Sequence, residues 1–353
     1  MAYLIDNIAD LNILYLTPYV RSRRGNAATA KRMEHYLTKA GANVEVFAFE
    51  EEQKDAANLI AKADIIHALH VRRTAEWLSN NNLKPEKPLL ITSGGTDINI
   101  DLEDSRKRKT MEELLKKAGA LTVFTEDASE KIINSFPFLE RKMFVIPQSV
   151  VPRPFQRRSL IESGQCKILL PAGLREVKDV LFLKAAWEQL GKEYPHLEVI
   201  LLGEKLNNTI FEQVKELENQ NRWFTYAGAV PPSQMSEWYE EADFVVNTSV
   251  SEGQPISILE AMSHSIPVIV RNNPGNASVV DSCTNVLFET PDQFLSHIRF
   301  FLKNPNEYER YSQRVWEHVM KHHLPSQEMN KYARVYEQLL QKSACAAPAH
   351  HKF

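Results

Sequence analysis

Short apolar runs alternate with longer amphipathic stretches along the whole chain, and this alternation limits the possible folds more than any other property of the sequence. Residues 11–16, 44–49, 65–69, 89–92, 121–124 and 143–146 have the length and continuous apolar character of strands buried on both faces. Helical patterns lie between them, for example over 27–40 and 107–118. The second half repeats the scheme, with strands expected at 168–170, 197–202, 224–227, 244–247, 268–270 and 286–288. Val180, Leu183, Trp187, Leu190 and Tyr194 recur at three-four spacing and predict an amphipathic helix between the first two of these. Strands that alternate with helices are joined by crossovers, which makes the sheets parallel and lays helices on both faces. A length of 353 residues exceeds what one hydrophobic core usually serves, so two such α/β domains are expected.

The seam is expected near residues 147–165. Pro147, Pro152 and Pro154, then Arg157, Arg158, Ser163 and Gly164, make a polar, proline-rich connection unlike either flank. Composition mainly excludes. A formal net charge of −3 implies no general field for nucleic acid or for a membrane surface. The basic run 106–109 reads as solvated surface. No stretch approaches the roughly 20 apolar residues that span a bilayer, and the N-terminus has early acids but no basic region of a signal peptide. Cys166, Cys283 and Cys345 are far apart and form no Cys-x-x-Cys, which favours a reducing compartment and argues against structural zinc. A cytoplasmic location is the expectation. Cys166 and Cys283 are expected to pack as small apolar residues, and His350-His351 is too isolated for a metal site.

The stretch 245–267 says most about function. An apolar strand at 244–246 runs into a polar turn carrying Glu252-Gly253, Pro255 opens a helix, and Glu260 falls in its second turn. Glycine lets backbone approach a ligand, and proline is pre-set for a first helical position. The free amides of that turn, at Gly253, Gln254, Ile256 and Ser257, make an anion site. Carboxylates on either side can take sugar or ribose hydroxyls while amides face a phosphate. That combination suits a sugar nucleotide.

Glu252 and Glu260, separated by seven residues, with Gly253 after the first and Ala261-Met262 after the second, resemble the donor-site motif of family-four retaining glycosyltransferases. Ala242-Asp243 with its apolar strand, Ile266-Pro267-Val268-Ile269 and the turn Asn273-Pro274-Gly275-Asn276-Ala277 resemble the family's flanking elements, in the family's order. The resemblance covers 165–322 well and the first 150 residues loosely. It implies the GT-B architecture, two doubly wound Rossmann-like domains with an interdomain cleft. It further implies an acceptor-side domain at 1–155, a nucleotide-sugar donor domain at 156–325, a helix at 326–342 crossing back to the first domain, and a flexible tail at 343–353.

Several further segments carry the resemblance. Gly173-Leu174-Arg175-Glu176-Val177-Lys178, after the first strand of the second half, resembles the family's diphosphate segment. Lys178 stands at the family's lysine. The family's arginine position holds Gly173, so Arg175 either reaches the phosphates from another turn or points to solvent. Cations there answer the charge that builds on a diphosphate leaving group. Gly203 and Gly228 end strands near which the family holds its nucleotide, or they simply make tight turns. In the first half, the loop with Arg21, Arg23 and Arg24, which either selects an anionic acceptor or is simply solvated, leads to Gly25-Asn26, where the family has paired glycines and where backbone is expected to approach donor phosphate or acceptor. Thr92-Ser93-Gly94-Gly95-Thr96-Asp97 ends a strand without the histidine the family often has in this turn. Asp97 is either an acceptor contact or a helix N-cap. His70 leaves its strand toward the ligand end, whereas His67 reads as a hydrogen-bonded core histidine.

The function implied is retaining transfer of a sugar from a nucleoside-diphosphate sugar to an unidentified acceptor, with UDP-sugars favoured and GDP-mannose next. Glu252 positions the sugar, Glu260 the ribose, and Arg175 and Lys178 stabilise the diphosphate. No Asp-x-Asp metal mark is present, so no metal and no cofactor is expected. The partners expected are the donor and the acceptor, with no nucleic acid; the oligomeric state is not legible. A dehydrogenase is set aside because neither half carries Gly-x-Gly-x-x-Gly after its first strand. A non-catalytic nucleotide-sugar binder and a GT-B epimerase remain as alternatives.

Overall fold

The computed structural model describes residues 8–21, 25–160, 165–280 and 286–346. Arg23, Arg24, Ser163, Gly164, Cys283, His350-His351, the N-terminal segment and most of the expected tail lie outside the described residues, as does the side chain of Cys345. The chain divides into two compact units, one made of residues up to 148 together with 325 onward, the other of 149–324.

In the first unit the strands are β1 (Asn12–Thr17), β2 (Asn43–Ala48), β3 (Ile65–Leu69), β4 (Leu89–Thr92), β5 (Ala120–Val123) and β6 (Met143–Val145). All pair in parallel, in the order β2-β1-β3-β4-β5-β6. Successive side chains of a strand point to opposite faces, and the core divides accordingly. Leu14, Leu16, Ile66 and Ile91 join one buried cluster; Ile13, Tyr15, Ile65 and Leu90 join another. The second cluster is closed by Met329, Tyr332, Val335, Tyr336 and Leu339 of the helix Pro325–Ala346. Three-four spacing puts these side chains on one helix face, so the chain's last helix serves the first unit's core.

This interface contains buried polar groups, and each has a reason to be there. His67 on β3 bonds through Nδ1 to the Tyr336 hydroxyl at 2.7 Å and through Nε2 to Thr92 Oγ1 at 2.6 Å. Burial pushes its pKa down to about 3, so it is neutral. Arg32 donates to both carboxylate oxygens of Glu328, at 3.2 and 3.1 Å, and to Gln148 Oε1 at 3.0 Å.

The second unit holds β7 (Gln165–Pro171), β8 (His196–Leu202), β9 (Phe224–Gly228), β10 (Phe244–Asn247), β11 (Val268–Arg271) and β12 (Leu287–Phe288), all parallel, in the order β12-β11-β10-β7-β8-β9. The helix expected at 180–194 spans only Lys184–Glu193; Val180 and Leu183 are buried in the turn before it. Their apolar spacing reflects burial and not helix. Cys166 lies in this core as a free thiol whose pKa burial pushes well up, an inert packing residue.

The division between units falls at 148/149 and not at 155/156, because the proline-rich segment is strapped to the second unit. Arg158 donates to the carbonyls of Glu240 at 2.7 Å and His264 at 3.3 Å, Gln156 N to Ser265 Oγ at 3.2 Å, and Trp316 Nε1 to the Arg153 carbonyl at 2.8 Å. Arginine at helix C-termini satisfies carbonyls that have no intrahelical partner. Among the described residues no helix is long and apolar enough to cross a membrane.

Candidate donor site

In an open parallel sheet, ligands bind beyond the carboxyl ends of the strands where the winding direction reverses. In the second unit the reversal lies between β7 and β10, which are neighbours in the sheet though far apart in sequence. The turns leaving these strands carry Gly173–Lys178 and Thr248–Pro255. They are fastened together. Val250 N donates to the Val177 carbonyl and Thr248 Oγ1 to the Lys178 carbonyl, both at 2.9 Å. Asp179 holds a left-handed conformation (φ 42°, ψ 49°), and its carboxylate takes Arg271 Nη1 at 2.7 Å. The Arg271 guanidinium lies 3.8 Å from the centre of the Phe182 ring and donates to the Thr248 carbonyl at 3.2 Å.

This fastening brings Lys178 and Glu252 into contact, Nζ to Oε1 at 2.5 Å. The same oxygen accepts from Asn247 Nδ2 at 3.0 Å and Ser249 Oγ at 2.7 Å. Burial opposes ionisation of Glu252, but the Lys178 charge and the bonds from Asn247, Lys178 and Ser249 outweigh it and hold the pKa below its ordinary 4.5. Glu252 is therefore a carboxylate at neutral pH, a group that accepts hydrogen bonds on its oxygens. The side chains of Lys178 and Glu252 are 17% and 11% exposed, so this pair is partly shielded from solvent.

After Gly253, Gln254 and Pro255, the helix Ile256–Ser263 begins, with Pro255 as its N-cap and not its first residue; no side chain of the cap bonds the first turn. The first amides of a helix have no intrahelical acceptor, so those of Ile256 and Ser257 stand ready for an anion. Glu260 takes the Tyr239 hydroxyl on Oε2 at 3.1 Å, and the same hydroxyl reaches the Ser257 carbonyl at 3.2 Å. Burial and then Glu260 raise the Tyr239 pKa well above its ordinary value, so this hydroxyl stays a donor.

Arg175 is half-buried and precedes the 3-10 turn Glu176–Lys178. Gly228 has φ +74°, a left-handed conformation that suits glycine, and its carbonyl accepts from Gly203 N at 2.8 Å. A Cβ on Gly173 would meet Leu206 at 3.2 Å.

In the first unit the reversal lies between β1 and β3. Gly25 and Asn26 begin the helix Gly25–Lys39 after β1, with open space beside Gly25. His70 follows β3 with φ +74°, buried, its Nδ1 3.6 Å from Asp97 Oδ2 and its Nε2 3.4 Å from Thr96 Oγ1. Asp97 does not cap its own short helix, Thr96–Asn99, whose N-cap is Gly95. Its carboxylate accepts instead from Val71 N at 3.1 Å, from Gly95 N at 3.0 Å and from the Ser93 hydroxyl, and so caps the helix Val71–Asn80. Gly94 is a packing requirement, because a Cβ there would sit 2.3 Å from the Phe124 ring.

The sequence reading passed over the residues behind Glu252. Asn247, at the end of an otherwise apolar strand, and Ser249 hold its carboxylate, while Gly275 lies against its backbone. A Cβ on Gly275 would fall 2.3 Å from the Glu252 carbonyl oxygen. A polar residue at the last position of a buried strand was the signal for Asn247. For Gly275 there was only the resemblance of its turn. Among the described residues no cluster of three or more His, Cys, Asp or Glu side chains is arranged to hold a metal ion.

Several known proteins are similar to this chain. The family model for glycosyl transferases group 1 matches residues 153–317. Glycosyltransferase 1 domain-containing protein 1 of Xenopus tropicalis is 26% identical over 337 residues, 91% of this chain and 96% of that protein. An alpha-monoglucosyldiacylglycerol synthase of Acholeplasma laidlawii is 22% identical over 175 residues, 46% of this chain and 44% of that enzyme. Among solved structures, sucrose-phosphate synthase of Thermosynechococcus elongatus matches with a TM-score of 0.76 at 14% identity, over 94% of this chain and 100% of its own. Anabaena HepE in complex with UDP and glucose matches at 0.70 with 15% identity, over 95% and 100%. At such identities these two likenesses speak for the fold, which is GT-B. Residues 153–317 thus resemble the group 1 glycosyl transferases, in a chain whose two parallel sheets have the GT-B fold.

Proposed function

We propose that the protein is a retaining hexosyltransferase that takes a sugar from a nucleoside-diphosphate sugar, a UDP-sugar first and GDP-mannose next, without a metal ion. The observation that carries this reading is the Lys178–Glu252 contact at the reversal point of the second sheet, beside a helix start whose N-cap makes no side-chain bond to the first turn. A diphosphate set there meets the Lys178 ammonium and the amides of Ile256 and Ser257. These supply the positive charge that a departing diphosphate needs, and Arg175 is assigned to the same phosphates. Glu252 takes donor-sugar hydroxyls and Glu260 the ribose; Gly173 and Gly228 allow backbone to approach the nucleotide. The UDP preference draws on HepE, which is known in complexes with UDP and UDP-glucose.

Glu252 is already bonded to three donors through Oε1, which suits a positioning group better than a nucleophile. The transfer is therefore read as same-face displacement, in which the leaving diphosphate oxygen accepts the proton of the acceptor hydroxyl. Gly25, Asn26, His70, Gly94, Gly95 and Asp97 of the first unit are assigned to the acceptor or phosphate side. A thermal-shift screen of UDP, GDP, ADP and their sugars tests the reading, because a ligand that binds the folded state raises its melting temperature by mass action. One base and its sugars should stand out. No shift with any of them would overturn it, and stoichiometric release of free sugar by a nucleotide-responsive protein would favour hydrolysis or epimerisation over transfer.

A further inference from the structure

Behind Glu252 lies a set of three buried asparagines whose orientations are fixed by one another. Asn247, Asn273 and Asn276 are 6%, 7% and 0% exposed. Asn276 Nδ2 donates twice, to the Arg271 carbonyl at 2.8 Å and to Asn247 Oδ1 at 3.2 Å. Turning that amide over would set its oxygen against two acceptor oxygens, so its orientation is determined. Asn247 Oδ1 also accepts from Ser249 N at 2.9 Å. With two donors on its oxygen, the Asn247 amide must present Nδ2 on its other side, and there it meets Glu252 Oε1 at 3.0 Å. Asn273 closes the set, accepting from Asn276 N on Oδ1 at 2.9 Å and donating from Nδ2 to the Ser249 carbonyl at 2.9 Å.

From this relay we infer that Asn247 is the positioning residue for Glu252: a neutral amide that hands a hydrogen bond to the carboxylate, in an orientation imposed by Asn276 and Ser249, and thereby sets where Glu252 meets a donor sugar. The inference deepens the donor-site reading and rests on it for the sugar contact, but not for the effect on Glu252 itself. The charge that acts on this carboxylate comes from Lys178, in the turn after β7.

Asn247→Asp is the informative substitution, because it preserves size and the Oδ1 acceptor while placing a carboxylate where Glu252 now receives a donor. Two measurements follow on the full chain. In the unliganded protein, the carboxyl carbon of Glu252 is titrated by NMR; its midpoint should rise in N247D, and an unmoved midpoint overturns the inference. Calorimetry then compares UDP-glucose with UDP. N247D should lower the ratio of their affinities by about tenfold, the size of one lost charge-assisted hydrogen bond. In the Glu252→Gln background the same change should have little effect, since the Gln amide can donate to Asp. An equal loss in both backgrounds overturns the inference, as does loss of the native fold in both N247D and the double variant, which would make Asn247 scaffold alone. Failure of the unsubstituted protein to bind UDP-glucose, with the NMR shift present, would instead sink the donor reading.

Discussion

At the scale of single residues, the site depends on close packing around the Glu252 turn. Gly275→Ala should force the turn out, because the new methyl would lie 2.3 Å from a backbone oxygen that has no flexible end to move. The expected result is a loss of donor affinity of at least about tenfold together with about 1–3 kcal/mol of stability, read by calorimetry and thermal melts. Glu252 also carries a pH signature. Its pKa is depressed in the fold, so its contribution to stability is present above the unfolded value of 4.5 and is lost as pH falls through the lower folded value. Melting curves of the wild-type protein and Glu252→Gln should therefore differ at neutral pH and converge below 4.5; curves that stay apart there would contradict the assignment. Part of this was legible in the chain. The Glu252-Gly253 turn, the proline before a helix and Lys178 each leave a local pattern in the sequence. Gly275 and Asn276 touch Glu252 only through the return of the next strand, and a contact of that kind has no local pattern to read.

At the scale of elements, alternation located the strands because a strand buried on both faces must be continuously apolar, and helix ends moved by a few residues where burial and helicity part company, as at Val180 and Leu183. The helix Pro325–Ala346 is held to the first unit by its apolar face and by buried polar pairs. Removing one partner of a buried ion pair leaves an uncompensated charge. Glu328→Ala, whose side chain is 1% exposed, should cost about 3–5 kcal/mol by leaving Arg32 without its carboxylate, measurable by denaturant unfolding. His67 predicts an acid-side slope of its own. The folded state keeps it neutral down to a pKa of about 3 against 6.5 when unfolded, so stability is full above 6.5 and declines as pH falls toward 3. The loss should reach about 1 kcal/mol by about pH 5.5, and His67→Gln should remove that part of the slope.

At the scale of the whole molecule, two sheets of different strand order put their reversal points at different strand pairs, β1 with β3 and β7 with β10. A single sequence could announce both domains, since each is a local alternation of strand and helix. It could not announce that the proline-rich segment belongs to the second unit, because Arg158 reaches carbonyls far away in the chain. Nor does it carry the acceptor. Asp97, in the turn that departs from the family's pattern, caps a neighbouring helix. The second unit's reversal point is the proposed seat of a nucleoside-diphosphate sugar, held by Lys178. Calorimetric titration of UDP-glucose into the wild-type protein and into Lys178→Ala addresses that claim most directly. The expected result is saturable one-site binding to the wild type and at least about tenfold weaker binding to the variant, whose melting temperature stays within a few degrees. Equal affinity of the two proteins, or no binding to the wild type, would contradict it.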